Sequence, residues 1–105
     1  MATAIQYEVT GAGVTLAKYD EVIKLMGSEL GGRHPGIGCL FHWATQIPNG
    51  IRVFDVWELR SQFDQFATEK IGPVSAEAGL PAGVPTFFDV HNYLVGKSAA
   101  FGEPS

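Results

Sequence analysis

Apolar and polar residues alternate from Ala4 to Thr10, where Ile5, Tyr7 and Val9 interleave with Gln6 and Glu8 at the period of a half-buried strand. Gly11-Ala12-Gly13 closes that run, and the period then changes. Leu16, Tyr19, Ile23, Met26 and Leu30 recur at the spacing of one helical face, which predicts a helix capped by Thr15 with Lys18, Asp20, Glu21 and Lys24 outward. The breaker cluster from Gly31 to Gly36 predicts a loop, and no Gly-Lys-Ser/Thr follows to make it a phosphate loop. Two strand-like runs, Gly38 to Gln46 and Ile51 to Leu59, meet at Pro48-Asn49-Gly50, a hairpin signal because Asn-Gly supplies positive backbone dihedrals. Ser61 with Asp64 reads as a capping-box variant opening a helix that carries Phe63, Phe66 and Ala67 on one face. Gly72-Pro73 is expected to kink or interrupt that helix, and a further turn runs to Ala78 and ends at Gly79. Pro81, Gly83 and Pro85 lead into a last strand, Thr86 to Val95.

The order strand, helix, strand, strand, helix, strand predicts an α+β domain of ferredoxin-like βαββαβ type with a four-stranded antiparallel sheet, occupying residues 1–96. The small, polar segment 97–105 is expected to be a flexible tail. Both helices of such a fold lie on one sheet face. The other face would leave Trp, Phe and Leu bare, so a homodimer with two sheets face to face, a dimeric α/β barrel, is expected.

Side-chain parity decides what lines the space between the sheets. A two-residue loop at Asn49-Gly50 sets His42 opposite Trp57 and Ala44 opposite Asp55, making His42 and Asp55 diagonal neighbours. On this reading, Phe41, Trp43, Phe54 and Val56 pack against the helices, while Leu40, His42, Val53, Asp55 and Trp57 line the barrel interior. A three-residue loop would instead join Phe41 and Trp43 to Asp55 and Trp57; the two-residue loop is favoured. In the last strand Phe88, Val90 and Leu94 form the better core stripe, which sends Phe87, Asp89, His91 and Tyr93 to the cavity, and the first strand adds Gln6 and Glu8.

Composition narrows the function classes. With 105 residues there is room for one core, and 46% apolar against 17% charged residues can fill it. The net charge of -4, with scattered cations, argues against nucleic-acid binding. Charges and glycines break every apolar run before membrane-spanning length, so no membrane association and a cytoplasmic location are expected. The single cysteine, Cys39, is expected to be a buried, inert thiol.

The strand ending Asp55-Val56-Trp57-Glu58, the following helix with Phe63 and Phe66, and the closing strand resemble the dimeric α/β-barrel superfamily over roughly residues 4–96. The likeness is to small proteins similar to antibiotic biosynthesis monooxygenases. It implies a small-molecule pocket between sheet and helices with catalytic groups on strands. The chemistry it admits spans cofactor-free monooxygenation, polyketide cyclisation, isomerisation, dehalogenase-like reactions and haem degradation. Haem-degrading members hold iron with a histidine on the second helix; residues 61–79 contain none, so haem is not expected.

The chemistry expected is that of a cofactor-independent enzyme acting on an aromatic or polyketide-like carbonyl compound. His42, oriented by Asp55, is the candidate base, since imidazole titrates near neutrality and an adjacent carboxylate stabilises its charged form. Arg52 and Arg60 are the alternative partners for Asp55. His91 or Tyr93 would stabilise the resulting enolate or phenolate, while Trp57 and Phe87 exclude water and Asp89 and Glu8 line the pocket. The anion then cyclises, isomerises or eliminates, or alternatively reacts with oxygen. A non-catalytic barrel that sequesters a small ligand is the rival. Two histidines with carboxylates also suit a divalent metal, but no HxH or HxxxH spacing supports one, and none is expected. His34 is expected to be exposed in its loop, with a lid role over the site as the alternative, and Tyr19 and Met26 to be helix-core residues.

Overall fold

The computed structural model describes residues 1–96; the expected tail, 97–105, lies outside the described residues. Strand β1 (Thr3–Thr10) is followed by helix α1 (Leu16–Leu25), hairpin strands β2 (Cys39–Ile47) and β3 (Gly50–Trp57), a long second helical segment, and strand β4 (Val84–Asp89). The sheet order β2-β3-β1-β4, with every neighbour antiparallel, is the ferredoxin-like arrangement. No helix among the described residues is long and apolar enough to cross a membrane.

Thr15 caps α1 by accepting the Lys18 N–H at 3.2 Å. The helix stops at Met26, where Gly27 turns the chain with φ 83°, so Leu30 is exposed loop rather than the last residue of a helical stripe. The second helical segment starts at Arg60 with Leu59 at the cap position, two residues before the expected Ser61 cap, because Gln62 and not Ser61 supplies the capping bond: its side-chain oxygen accepts the Leu59 N–H at 3.0 Å. Gly72-Pro73 does not break this segment. Helix α2 (Arg60–Phe66) passes through a π-helical turn (Ala67–Ile71) into α3 (Gly72–Ala78), with Pro73 in the first turn, where its missing N–H costs nothing. Strand β4 begins at Val84 and ends at Asp89, so His91 and Tyr93 lie beyond it.

Two findings correct the expected parity. The hairpin turn is Pro48-Asn49, with Asn49 at φ 63°, and Ile47 pairs with Gly50. The register is therefore two residues from that expected: His42 faces Asp55 directly, and Ala44 faces Val53. A two-residue slip keeps every side chain on its own face. A bulge at Leu40 then reverses the parity of Cys39, which sits opposite Trp57 while Phe41 sits opposite Val56.

The second correction concerns which face the helices cover. Ile5, Val9, Ile51, Val53 and Trp57 are buried beneath them together with Phe63 and Phe66. Phe41 and Trp43 remain 47% exposed on the opposite, uncovered face, with Phe54 and Val56. The expected assignment had these faces exchanged. β1 is the reason: its single apolar stripe pairs Ile5 with Asp55, Tyr7 with Val53 and Val9 with Ile51, and that combined surface outweighs the aromatic face of the hairpin alone.

Candidate active site

A cavity of about 350 Å³ lies between the sheet and the helices, with Tyr7, Tyr19, Met26, His34, Phe66 and Leu80 among its walls. Strands β2 and β3 deliver His42 and Asp55 to it, because opposed residues of an antiparallel pair share a face. His42 Nδ1 lies 2.6 Å from Asp55 Oδ1, and His42 Nε2 lies 2.6 Å from the Tyr19 hydroxyl. Asp55 is 3% exposed, and its other oxygen accepts the Trp57 indole N–H at 3.1 Å.

A carboxylate only accepts, so His42 Nδ1 carries hydrogen toward Asp55; in the neutral ring Nε2 then has a lone pair that accepts from the Tyr19 hydroxyl. The result is a Tyr19–His42–Asp55 relay, anchored by Trp57, in the order of a nucleophile, a base and a group that orients the base. Burial, and then the charge of Asp55 and Asp20, push the Tyr19 phenol up to about 12. Tyr19 therefore stays protonated at neutral pH.

His34 joins this group from the loop. Its Nδ1 accepts the Gly36 N–H at 2.9 Å, and its ring lies 5.3 Å from His42, 5.4 Å from Trp57 and 4.9 Å from Phe66, centroid to centroid. A Cβ at Gly36 would collide with the Trp57 ring, so only glycine lets the loop pass this close. Burial lowers the pKa of His34 from its ordinary 6.5; the Asp55 charge opposes that shift and His42 adds to it. His34, expected in solvent, is thus a half-buried wall of the site.

The other expected site residues are divided. Trp57 is fully buried at the base of the relay, and Phe87 packs half-buried against the same cluster beneath Arg60, whose guanidinium sits 3.7 Å above its ring. Glu8 lies on the opposite face, ion-paired with Arg52, so neither is Asp55's neighbour. Asp89, His91 and Tyr93 are exposed at and beyond the end of β4, away from the cavity. The oxyanion role expected of His91 or Tyr93 has no support in this placement. Cys39 is half-buried, with its thiol 3.6 Å from the Phe41 carbonyl and pushed up to about 12 by burial.

Reasoning from sequence missed Tyr7 and Tyr19, and it offered His34 only as an alternative lid rather than as a wall. Tyr19 carried a usable signal: a tyrosine on an apolar helical stripe needs a buried partner for its hydroxyl. His34, His42 and Asp55 also place one potential ligand atom each within 4.8 Å of one another, a spacing that suits a metal ion. Three of the four imidazole nitrogens in this cluster already take part in hydrogen bonds, to Gly36, Tyr19 and Asp55. A metal would have to break at least one of them.

No family model matches the chain, and no curated protein matches it. Solved structures share its fold. A protein from Chloroflexus aurantiacus described as a candidate antibiotic biosynthesis monooxygenase is 16% identical, with TM-score 0.59, over 91% of this chain and 100% of that one. SnoaB from Streptomyces nogalater, described as a cofactor-independent oxygenase, is 16% identical with TM-score 0.55 over 89% and 95% of the two chains. MhuD, solved with two manganese protoporphyrin IX molecules per active site, is 17% identical with TM-score 0.51 over 91% of this chain and 100% of that one. The chain thus has the ferredoxin-like fold of antibiotic biosynthesis monooxygenase-like proteins.

Proposed function

We propose that this chain is a cofactor-independent oxygenase that uses His42 as its base on a small aromatic or polyketide-like carbonyl compound. The observation that carries this reading is the Tyr19–His42–Asp55 relay opening on a largely apolar cavity of ligand size. The shared fold with SnoaB supports an oxygenase.

Tyr19 occupies the lone pair of His42, so the substrate's proton reaches the base through the phenol. As the Tyr19 oxygen takes the proton from an activated C–H, its own hydrogen passes to His42 Nε2, and Asp55 stabilises the imidazolium. The carbanion gives its electrons to dioxygen in single steps, and a carbon–oxygen bond forms. Loss of the second C–H proton and cleavage of the O–O bond release water: a CH2 group and O2 become a carbonyl and H2O. The apolar walls around the relay keep bulk water from quenching the anion.

The same proton abstraction without oxygen would make the chain a cyclase, isomerase or lyase, and the experiment separates the two. Wild-type protein, His42→Ala and Tyr19→Phe are incubated with a panel of aromatic ketones bearing acidic CH2 groups, in air and under argon, while dissolved oxygen and product are measured. Oxygen uptake equal to product formed, lost about a thousandfold in His42→Ala, is the expected result. Equal turnover under argon replaces the oxygenase with the cyclase reading, and binding without turnover in either atmosphere supports a ligand-sequestering barrel.

We also propose that the uncovered sheet face pairs with a second copy. Trp43 and Phe54 stack there at 4.2 Å beside Phe41 and Phe88, and exposed Leu94 and Val95 lie near Phe41 and Val56. An aromatic surface of this kind is rarely left to water.

A further inference from the structure

Two cavities meet at His34. The inner one, about 350 Å³ between the sheet and the helices, and an outer one, about 340 Å³ along the loop that precedes β2, share Tyr19, Ile23, His34 and His42 as lining residues. These side chains form the partition between the two spaces. Beyond it the outer cavity is walled by Ser28, Glu29, Leu30 and Arg33 of the loop and by the edge strand β2. Glu29, Leu30 and Arg33 are exposed, so the outer cavity lies on the solvent side of the inner one.

The members of the partition differ in what holds them. Ile23 is buried on α1; Tyr19, on the same helix, is tied to His42, and the other ring nitrogen of His42 is tied to Asp55. His34 stands on no helix or strand. Its hydrogen bond is made within the loop, from the Gly36 N–H to Nδ1, and its ring meets Trp57 and Phe66 through ring contacts at 5.4 and 4.9 Å between centroids. Such contacts are weak beside the packing and hydrogen bonds that a helix or strand residue would give up on moving. Arg33, Pro35 and Ile37 around it are exposed, and His34 is the residue that the loop sends into the inner cavity.

We propose that His34 is the specificity-determining residue of the site: its ring closes the inner cavity against the outer one, and so limits the length of ligand that can lie beside His42. With the ring in place, a ligand is confined to the inner cavity. With the ring removed, the two cavities join, the space about doubles, and a longer ligand extends past the partition along the loop. This rests on the proposed reading of the inner cavity as a substrate pocket.

The test uses prodan, a propionyl naphthalene whose emission reports the polarity around it, and its octanoyl homologue, which carries the same fluorophore on a longer chain. Both are titrated into wild-type protein and variants, and the ratio of their affinities is read. His34→Ala should shift that ratio about tenfold towards the long probe, and His34→Phe, which refills the partition, should restore it. Leu80→Ala enlarges the inner cavity alone and should leave the ratio unchanged. Leu30→Trp crowds the outer cavity alone: added to His34→Ala it should cancel most of the shift, and with His34 in place it should change nothing. An unchanged ratio in His34→Ala overturns the proposal, as does an equal shift in Leu80→Ala or a shift that survives in His34→Phe. A changed ratio in Leu30→Trp alone overturns it with His34 intact, and so does failure of both probes to bind any of these proteins. Oxygen uptake is scored separately. A shifted ratio without turnover sinks the enzymatic reading alone; turnover with an unshifted ratio sinks the partition alone.

Discussion

The two faces of the sheet carry similar numbers of large side chains and do opposite things with them. On the helix-covered face, Trp57 is fully buried and its indole N–H is tied to Asp55. On the open face, Trp43 stacks on Phe54 and stays 47% exposed. The difference is not hydrophobicity. The covered face mixes apolar packing with a buried, hydrogen-bonded polar chain, which requires fixed geometry; the open face carries an aromatic patch beside a half-exposed Glu8–Arg52 ion pair, and that patch asks only for another apolar surface. The relay is held where polar groups are buried and paired, and the proposed association uses the face whose aromatic side chains are left to solvent.

The comparison is broken most severely at its two tryptophans. Trp57→Ala should cost about 3–5 kcal/mol in urea denaturation, through lost packing and a freed Asp55 oxygen. Trp43→Ala should cost under about 1 kcal/mol in dilute protein, where no partner copy is bound. Equal losses would mean that both faces are core. Asp55→Asn comes next, with about 1–3 kcal/mol of stability lost and oxygen uptake reduced at least about a hundredfold, because the amide presents the wrong group to His42. A glutamate at Trp43 leaves the relay untouched, so sedimentation velocity should show a shift to monomer with little change in the melting temperature of that monomer; a monomeric wild type would remove the assigned role of the open face.

The smallest effects are in pH. The folded pKa of Tyr19 is raised, so the folded protein holds the proton more tightly than the unfolded chain, and stability is lost as pH rises from 10 to about 12. Tyr19→Phe should flatten that loss. His34 is shifted the other way: its folded pKa lies below 6.5, so stability present above that value declines as pH falls through it and the unfolded chain takes up the proton. His34→Leu should reduce the acid-side decline, read as melting temperature between pH 7 and pH 5.

Much of the architecture was legible in the chain. The alternation of β1, the Thr15 cap and the Asn-Gly signal in the hairpin lead to the βαββαβ order, and the fold found among solved structures agrees with it. His42 and Asp55 could be placed on one face because parity survives an even register slip. Their pairing with Tyr19 could not, since nothing in a helical stripe says which strand residue lies beneath it. Nor could the position of His34, which depends on how closely a glycine loop approaches Trp57.

What the sequence by itself determined is periodic: the order of the elements, and which residues of a regular strand alternate onto one face. Tertiary structure alone decided which face the helices cover. The hairpin is apolar on both sides, so its own pattern is degenerate, and only pairing with β1 adds enough buried area to choose. That choice sealed the relay under the helices and left Trp43 to the outside.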